Sequence, residues 1–200
     1  MNAQSQRIVL ILASFVLGLG LCFGGILWLT GGTPGSLTAS MPSAVGGPFR
    51  LTDQDGKPVS NDSFRGKPYL VFFGFTHCPD VCPTTLFEVS EIMRNLGKDA
   101  DRTAALFITV DPERDTPDKM KDYLSSFDPH LTGATGDLPT VAAVAKAFRV
   151  YYKKVPTEGS DYTMDHTAIV YLMDKNGNFV SPFNLRRKPE EAAGELRKYL

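Results

Sequence analysis

The stretch GFTHCPDVCPTTL, residues 74–86, sets Cys78 and Cys82 four positions apart, directly after an apolar run. The only other cysteine, Cys22, lies far upstream. Three chemistries fit such a pair: a structural disulfide, a dithiol redox centre, or two thiolate ligands for a soft metal. Pro79 and Pro83 frame the motif, and proline is tolerated in the first turn of a helix but not in its middle. A helix therefore begins within the motif, with Cys78 at its mouth. Unpaired amides and the helix dipole at that point favour thiolate over thiol.

Spacing weighs against a purely structural bridge. Helical positions four apart hold their Cβ atoms about 5–6 Å from each other, whereas a relaxed disulfide wants about 3.5–4.5 Å. A bridge here is strained, easily reduced, and closes too short a loop to contribute much entropically. Thioredoxin-type oxidoreductases use C-x-x-C. The additional residue in C-x-x-x-C widens the bite, which suits two thiolates on one ion.

A metal needs further ligands, and beyond residue 48 the histidines are His77, His130 and His166. His77 adjoins Cys78, but neighbours in an extended segment point apart. His130 follows Asp128-Pro129 in an expected loop. His166 is different, because MDHTAIVYLMDKNGNFV resembles the thioredoxin segment in which a cis-proline and a Thr open a strand beside the cysteine pair. His166 takes the place before Thr167, and Asp165 is a candidate to orient or screen its imidazole. Two thiolates and an imidazole form a soft set that selects Cu(I), zinc or iron–sulfur. Structural zinc wants four ligands, and no fourth stands out, since Met164 reads as core packing. Three ligands suit Cu(I).

These residues need a scaffold. FRLTDQDGKPVS, residues 49–60, reads as a hairpin around Asp55-Gly56. YLVFFGF (69–75) and AALFITV (104–110) are continuous apolar runs, as in strands buried on both faces. Leu86, Val89, Met93 and Leu96 recur at helical spacing after the cysteines. Thr116-Pro117 starts a second helix, with Met120, Tyr123, Leu124 and Phe127 on its apolar face. Val141, Val144, Ala145 and Phe148 mark a third. TAIVYLM (167–173) is a strand that turns at Asn176-Gly177 into another, and a final helix carries Ala192, Leu196 and Tyr199. This order predicts an α/β, thioredoxin-like domain over residues 49–200, with the cysteines at the carboxyl end of a strand, where ligands gather.

Ahead of the domain, residues 8–29 carry no charge. As a helix they span about 33 Å, enough for a hydrocarbon core of about 30 Å, and longer than the apolar region of a secretory signal. They are expected to form an uncleaved transmembrane helix, with Cys22 inside the span as a small apolar residue. Arg7 precedes the run and the next basic residue is Arg50, so residues 1–7 stay cytoplasmic and the remainder is exported. A single-pass protein of a bacterial inner membrane, facing the periplasm, is the expectation. Residues 30–48, rich in Gly, Ser and Pro, read as a flexible tether. A formal charge of −1 and the lack of a basic run give no reason to expect a nucleic-acid partner.

CPDVCP, VDPERDTP and DHT, in this order, resemble the Sco/SenC family of copper-binding, thioredoxin-like proteins. The resemblance runs from about Phe49 to Leu200, and the anchor and tether are also similar to the family's. It implies copper binding by Cys78, Cys82 and His166, as Cu(I) with Cu(II) left open. It also implies a part in building the dinuclear copper centre of cytochrome c oxidase subunit II, by inserting copper, by reducing the target cysteines, or both. Other periplasmic copper carriers or thiol reductants are further expected partners. Asp111 has two readings: an acid in the outer shell of the site, or, with Asp115 and Thr116, a loop-to-helix cap. Asp80 reads as a helix N-terminal charge. The leading expectation is a copper chaperone, and the alternative is a thiol-disulfide reductase. A peroxidase ranks last, because no peroxidase pattern surrounds Cys78.

Overall fold

The computed structural model describes residues 14–25, 45–159 and 161–200. The chain divides into two compact units, Met1–Met41 and Pro42–Leu200. In the first, residues 14–25 are helical, with Phe15, Leu17, Leu21 and Phe23 exposed. No helix among the described residues is long and apolar enough to cross a membrane. Both ends of the expected span over residues 8–29 and most of the expected tether lie outside the described residues.

The second unit is built on a seven-stranded sheet of order β2-β1-β5-β4-β3-β8-β9. β3 (Tyr69–Gly74), β4 (Ala104–Thr109) and β5 (Leu131–Thr135) run parallel. The outer strands are antiparallel: β1 (Arg50–Asp53) and β2 (Pro58–Ser60) on one side, β8 (Val170–Met173) and β9 (Phe179–Pro182) on the other. Every residue of β3 is buried, as its unbroken apolar run requires. Alternate side chains serve opposite layers. Leu70 and Phe72 face Leu86 and Val89 of helix α1 (Val81–Leu96) around a small void, while Phe73 packs its ring on Phe148, 5.3 Å between centroids.

Helix α2 (Pro117–Leu124) starts where Thr116 accepts a hydrogen bond from the Lys119 amide, with Pro117 in its first turn, and it packs over β5. Helix α3 (Leu138–Ala147) buries Val141, Val144 and Ala145 and ends at Phe148. Helix α4 (Pro189–Arg197) packs on α1 through a face that includes Ala192 and Leu196.

Two features depart from expectation. The strand expected from Thr167 begins only at Val170. The residues before it belong to a separate two-stranded ribbon, β6 (Tyr152–Pro156) paired antiparallel with β7 (Tyr162–His166). His166 therefore closes a ribbon strand and does not open a strand of the main sheet. β5 was also unforeseen.

Candidate metal centre

The site forms where β3 ends and α1 begins. Cys78 lies in the turn between them, its amide donating to the Phe75 carbonyl at 3.3 Å. Cys82 sits in the first turn of α1, and its amide points back at the Cys78 sulfur, 3.4 Å away. A free helix-end amide thus solvates that sulfur, which is what the position at a helix mouth predicts. Cys78 is half-buried, Cys82 is wholly buried, and neither is bridged. Burial pushes the Cys82 thiol well up, and the charges of Cys78 and Asp115 push the same way against a backbone hydrogen bond from Phe75. Asp80, the residue before α1, makes no side-chain capping bond.

The third group arrives from 84 residues away. Nε2 of His166 stands 3.6 Å from the Cys82 sulfur. Its Nδ1 lies 3.2 Å from the Thr167 carbonyl. A carbonyl only accepts, so Nδ1 carries the proton and Nε2 presents its lone pair to the sulfur side. The ring sits edge-on to Phe75 and Phe72, at 5.8 and 6.2 Å between centroids. Burial holds the imidazole below its ordinary pKa, against the Thr167 hydrogen bond and the Asp165 charge. It is therefore neutral at pH 7, the form that binds metals.

Asp165 does not hold the ring. It is exposed, on the face of β7 opposite to His166, and the ring is oriented instead by the bond its Nδ1 donates to the Thr167 carbonyl. Asp111 is 1% exposed and bound elsewhere, pairing with Arg114 and accepting from the Tyr162 hydroxyl at 2.9 Å. The acid that reaches the cysteine segment is Asp115, which the sequence marks only as part of a cap. Its carboxylate accepts from the Thr76 amide at 3.0 Å, the Thr76 hydroxyl at 2.6 Å and the Thr109 hydroxyl at 2.6 Å. Burial nevertheless raises its pKa. No local pattern could have found this, because the partners lie 39 and 6 residues away.

His77 is exposed and its ring contacts Thr76. His130 lies between Asp128 and Asp101 and takes no part in the site. Tyr123 leaves its hydroxyl buried without a partner among the described residues.

The donor set fits a soft ion. With metal–sulfur and metal–nitrogen bonds of about 2.3 and 2.0 Å, a sulfur and a nitrogen on one trigonal or tetrahedral ion lie about 3.5–3.8 Å apart. Cys82 and His166 already stand at that separation. Among the described residues, no three His, Cys, Asp or Glu side chains yet close on one point.

The SCO1/SenC family model matches residues 38–200. A SCO2-like protein of Rickettsia conorii is 36% identical over 206 residues, spanning 98% of this chain and 99% of the relative. The mitochondrial SCO1 homolog of Mus musculus is 40% identical over 159 residues, 78% of this chain and 56% of the relative. Among solved structures, copper-bound ScoI of Bradyrhizobium japonicum is 66% identical with a TM-score of 0.77, covering 78% of this chain and 99% of that one. Copper-bound ScoI of Arabidopsis thaliana is 37% identical with a TM-score of 0.71, covering 77% and 97%. A cysteine pair at a helix mouth, a distant histidine 3.6 Å from one of its sulfurs, and a family match across the whole second unit agree, and the chain belongs to the SCO1/SenC family.

Proposed function

We propose that this protein is a copper chaperone that carries Cu(I) between Cys78, Cys82 and His166 and delivers it to the dinuclear copper centre of cytochrome c oxidase subunit II. In this reading residues 8–29 anchor it in a bacterial inner membrane and the second unit works in the periplasm. The observation that carries the reading is the 3.6 Å approach of His166 Nε2 to the Cys82 sulfur. A thiol-disulfide reductase has no need of a neutral imidazole there. Cys82 and His166 supply two ligands nearly in place, and rotation of the half-buried Cys78 side chain supplies the third. The copper-bound state of the similar ScoI proteins supports the choice of metal. Copper here is cargo: three soft ligands hold it firmly and leave one side open to an incoming thiolate.

One observation favours a second activity. Cys78 is half-buried at the helix mouth while Cys82 is wholly buried. Such asymmetry suits an attacking and a resolving thiol, so the pair could also keep the acceptor's cysteines reduced.

The test is to load the reduced protein with Cu(I) and read its X-ray absorption. Two sulfurs and one nitrogen per copper are expected. His166→Ala should lose the nitrogen and bind copper more weakly, while still forming the Cys78–Cys82 disulfide under oxidant. A His166→Ala protein that binds Cu(I) like the parent overturns the proposal.

A further inference from the structure

His166 stands on a ribbon outside the main sheet, so something other than that sheet must fix where its ring arrives. Along β7, Tyr162, Met164 and His166 share one face. All three point inward: Met164 is buried at 7% exposure, Tyr162 meets the loop after β4, and His166 meets Cys82. Tyr162 lies four steps from His166, about 13 Å at about 3.3 Å per residue.

The grip on Tyr162 is many-sided. Its hydroxyl donates to Asp111 Oδ1 at 2.9 Å. Arg114 Nη1 donates to the Tyr162 carbonyl at 2.9 Å, and the guanidinium lies over the ring, 3.8 Å from its centroid. Arg114 also pairs with Asp111, which is buried, and with Asp161 at 3.2 Å. On the ring, Lys154 Nζ sits 4.1 Å from the centroid while pairing with Glu113. Carboxylate, guanidinium and ammonium thus hold one aromatic ring and its own backbone; Asp111 and Arg114 are shielded from solvent, whereas Lys154, Glu113 and Asp161 form an open outer side. A planar guanidinium that stacks and donates at once is not replaced by lysine.

We propose that Tyr162, clasped by Asp111 and Arg114, is a positioning residue for the histidine ligand. This rests on the Cu(I) reading above. The clasp fixes the register of β7 against the core. A slip of one residue along a strand turns each side chain to the opposite face, which would send His166 to solvent and bring Asp165 inward. The Asp111 carboxylate therefore serves the site from a distance, through Tyr162, and touches no copper ligand.

The test separates this from the copper reading by using two measurements. In the reduced, metal-free full chain, nuclear Overhauser contacts between the His166 and Phe75 rings report where the imidazole sits. They are expected in the parent and lost in Tyr162→Ala, with the amide signals of α1, β3 and β4 unmoved. With metal, Tyr162→Ala should lower Cu(I) affinity roughly 10–100-fold and lose the nitrogen scatterer while keeping both sulfurs. Tyr162→Phe keeps the ring for Arg114 and should lose less. If Tyr162→Ala does not fold, Arg114→Lys decides, since it keeps the charge and lacks the fork. Retention of the His166–Phe75 contact and of parental affinity in these variants overturns the clasp. A parent that binds no Cu(I) overturns the chaperone reading alone, and the ring contacts still decide the positioning.

Discussion

Gly74 faces the Cys82 sulfur so closely that a methyl group on it would lie 2.7 Å from that atom, and equally near the Phe107 ring. The last residue of β3 has no side chain because the first turn of α1 occupies that space. Neither neighbour can yield easily: one is fixed to the helix backbone and the other is a fully buried ring. Gly74→Ala should therefore destabilise the domain by about 1–3 kcal/mol and weaken Cu(I) binding by shifting Cys82. Chemical denaturation read beside copper competition checks both. Parental values in both would show that α1 adjusts freely.

The two thiols should differ sharply in reactivity. Cys78 is half-buried and receives a helix-end amide, whereas Cys82 is buried with its thiol held protonated by desolvation. Brief alkylation of the reduced, metal-free protein at neutral pH should label Cys78 at least about tenfold faster than Cys82. Peptide mass spectrometry separates the two from Cys22. Equal rates would mean that the pocket over Cys82 opens readily.

Tyr123 places its ring between Phe107 and Phe127, at 6.1 and 5.4 Å between centroids, yet its hydroxyl is buried and unpaired among the described residues. Phenylalanine would keep the packing and remove the stranded group. Tyr123→Phe is expected to be neutral or to gain up to about 1 kcal/mol. A loss larger than that in urea unfolding would reveal a partner for the hydroxyl.

His130 gives the fold a pH dependence of its own. Burial alone would lower its pKa, but hydrogen bonds to Asp128 and Asp101 outweigh this and raise it. The folded state thus holds the imidazole proton more tightly than the unfolded chain does. The contribution is complete below the unfolded pKa of about 6.5 and fades as pH rises through the higher folded value. Its size is about 1 kcal/mol, since Asp128 is shielded but Asp101 is open to solvent. His130→Gln should cost more stability at pH 5.5 than at pH 8.5, by thermal or urea unfolding. An equal cost at both pH values would contradict the assignment.

Much of the scaffold was legible because its signals are local. β3 and β4 are unbroken apolar runs, and Thr116-Pro117 carries its own cap. β5 was not, since Leu131–Thr135 is short and interrupted by Gly133. That glycine is demanded by tertiary contact, as a methyl group on it would lie 2.6 Å from Leu124 and 2.8 Å from Met120. The ribbon was missed for the opposite reason. Lys153, Lys154 and Asp165 are exposed, so the segment lacks the apolar density of a core strand, although Tyr162, Met164 and His166 alternate as a one-faced strand does. Cys82 and His166 were placed together by a likeness of segments. The roles of Asp115 and Asp111 could not be read, because their partners are brought near only by folding.

The two kinds of donor in the proposed copper site are mounted on different supports. The sulfurs belong to the junction of β3 and α1, Cys82 within the main hydrophobic core and Cys78 packed against it. The nitrogen belongs to a ribbon that shares no ladder with the seven-stranded sheet. Lifting that ribbon ruptures side-chain contacts and leaves every strand pairing of the sheet intact. If copper binds as proposed, its residence time is set by a local opening that includes release of the Tyr162 clasp, and is decoupled from global unfolding. Such a protein can be thermally robust and still surrender its cargo quickly.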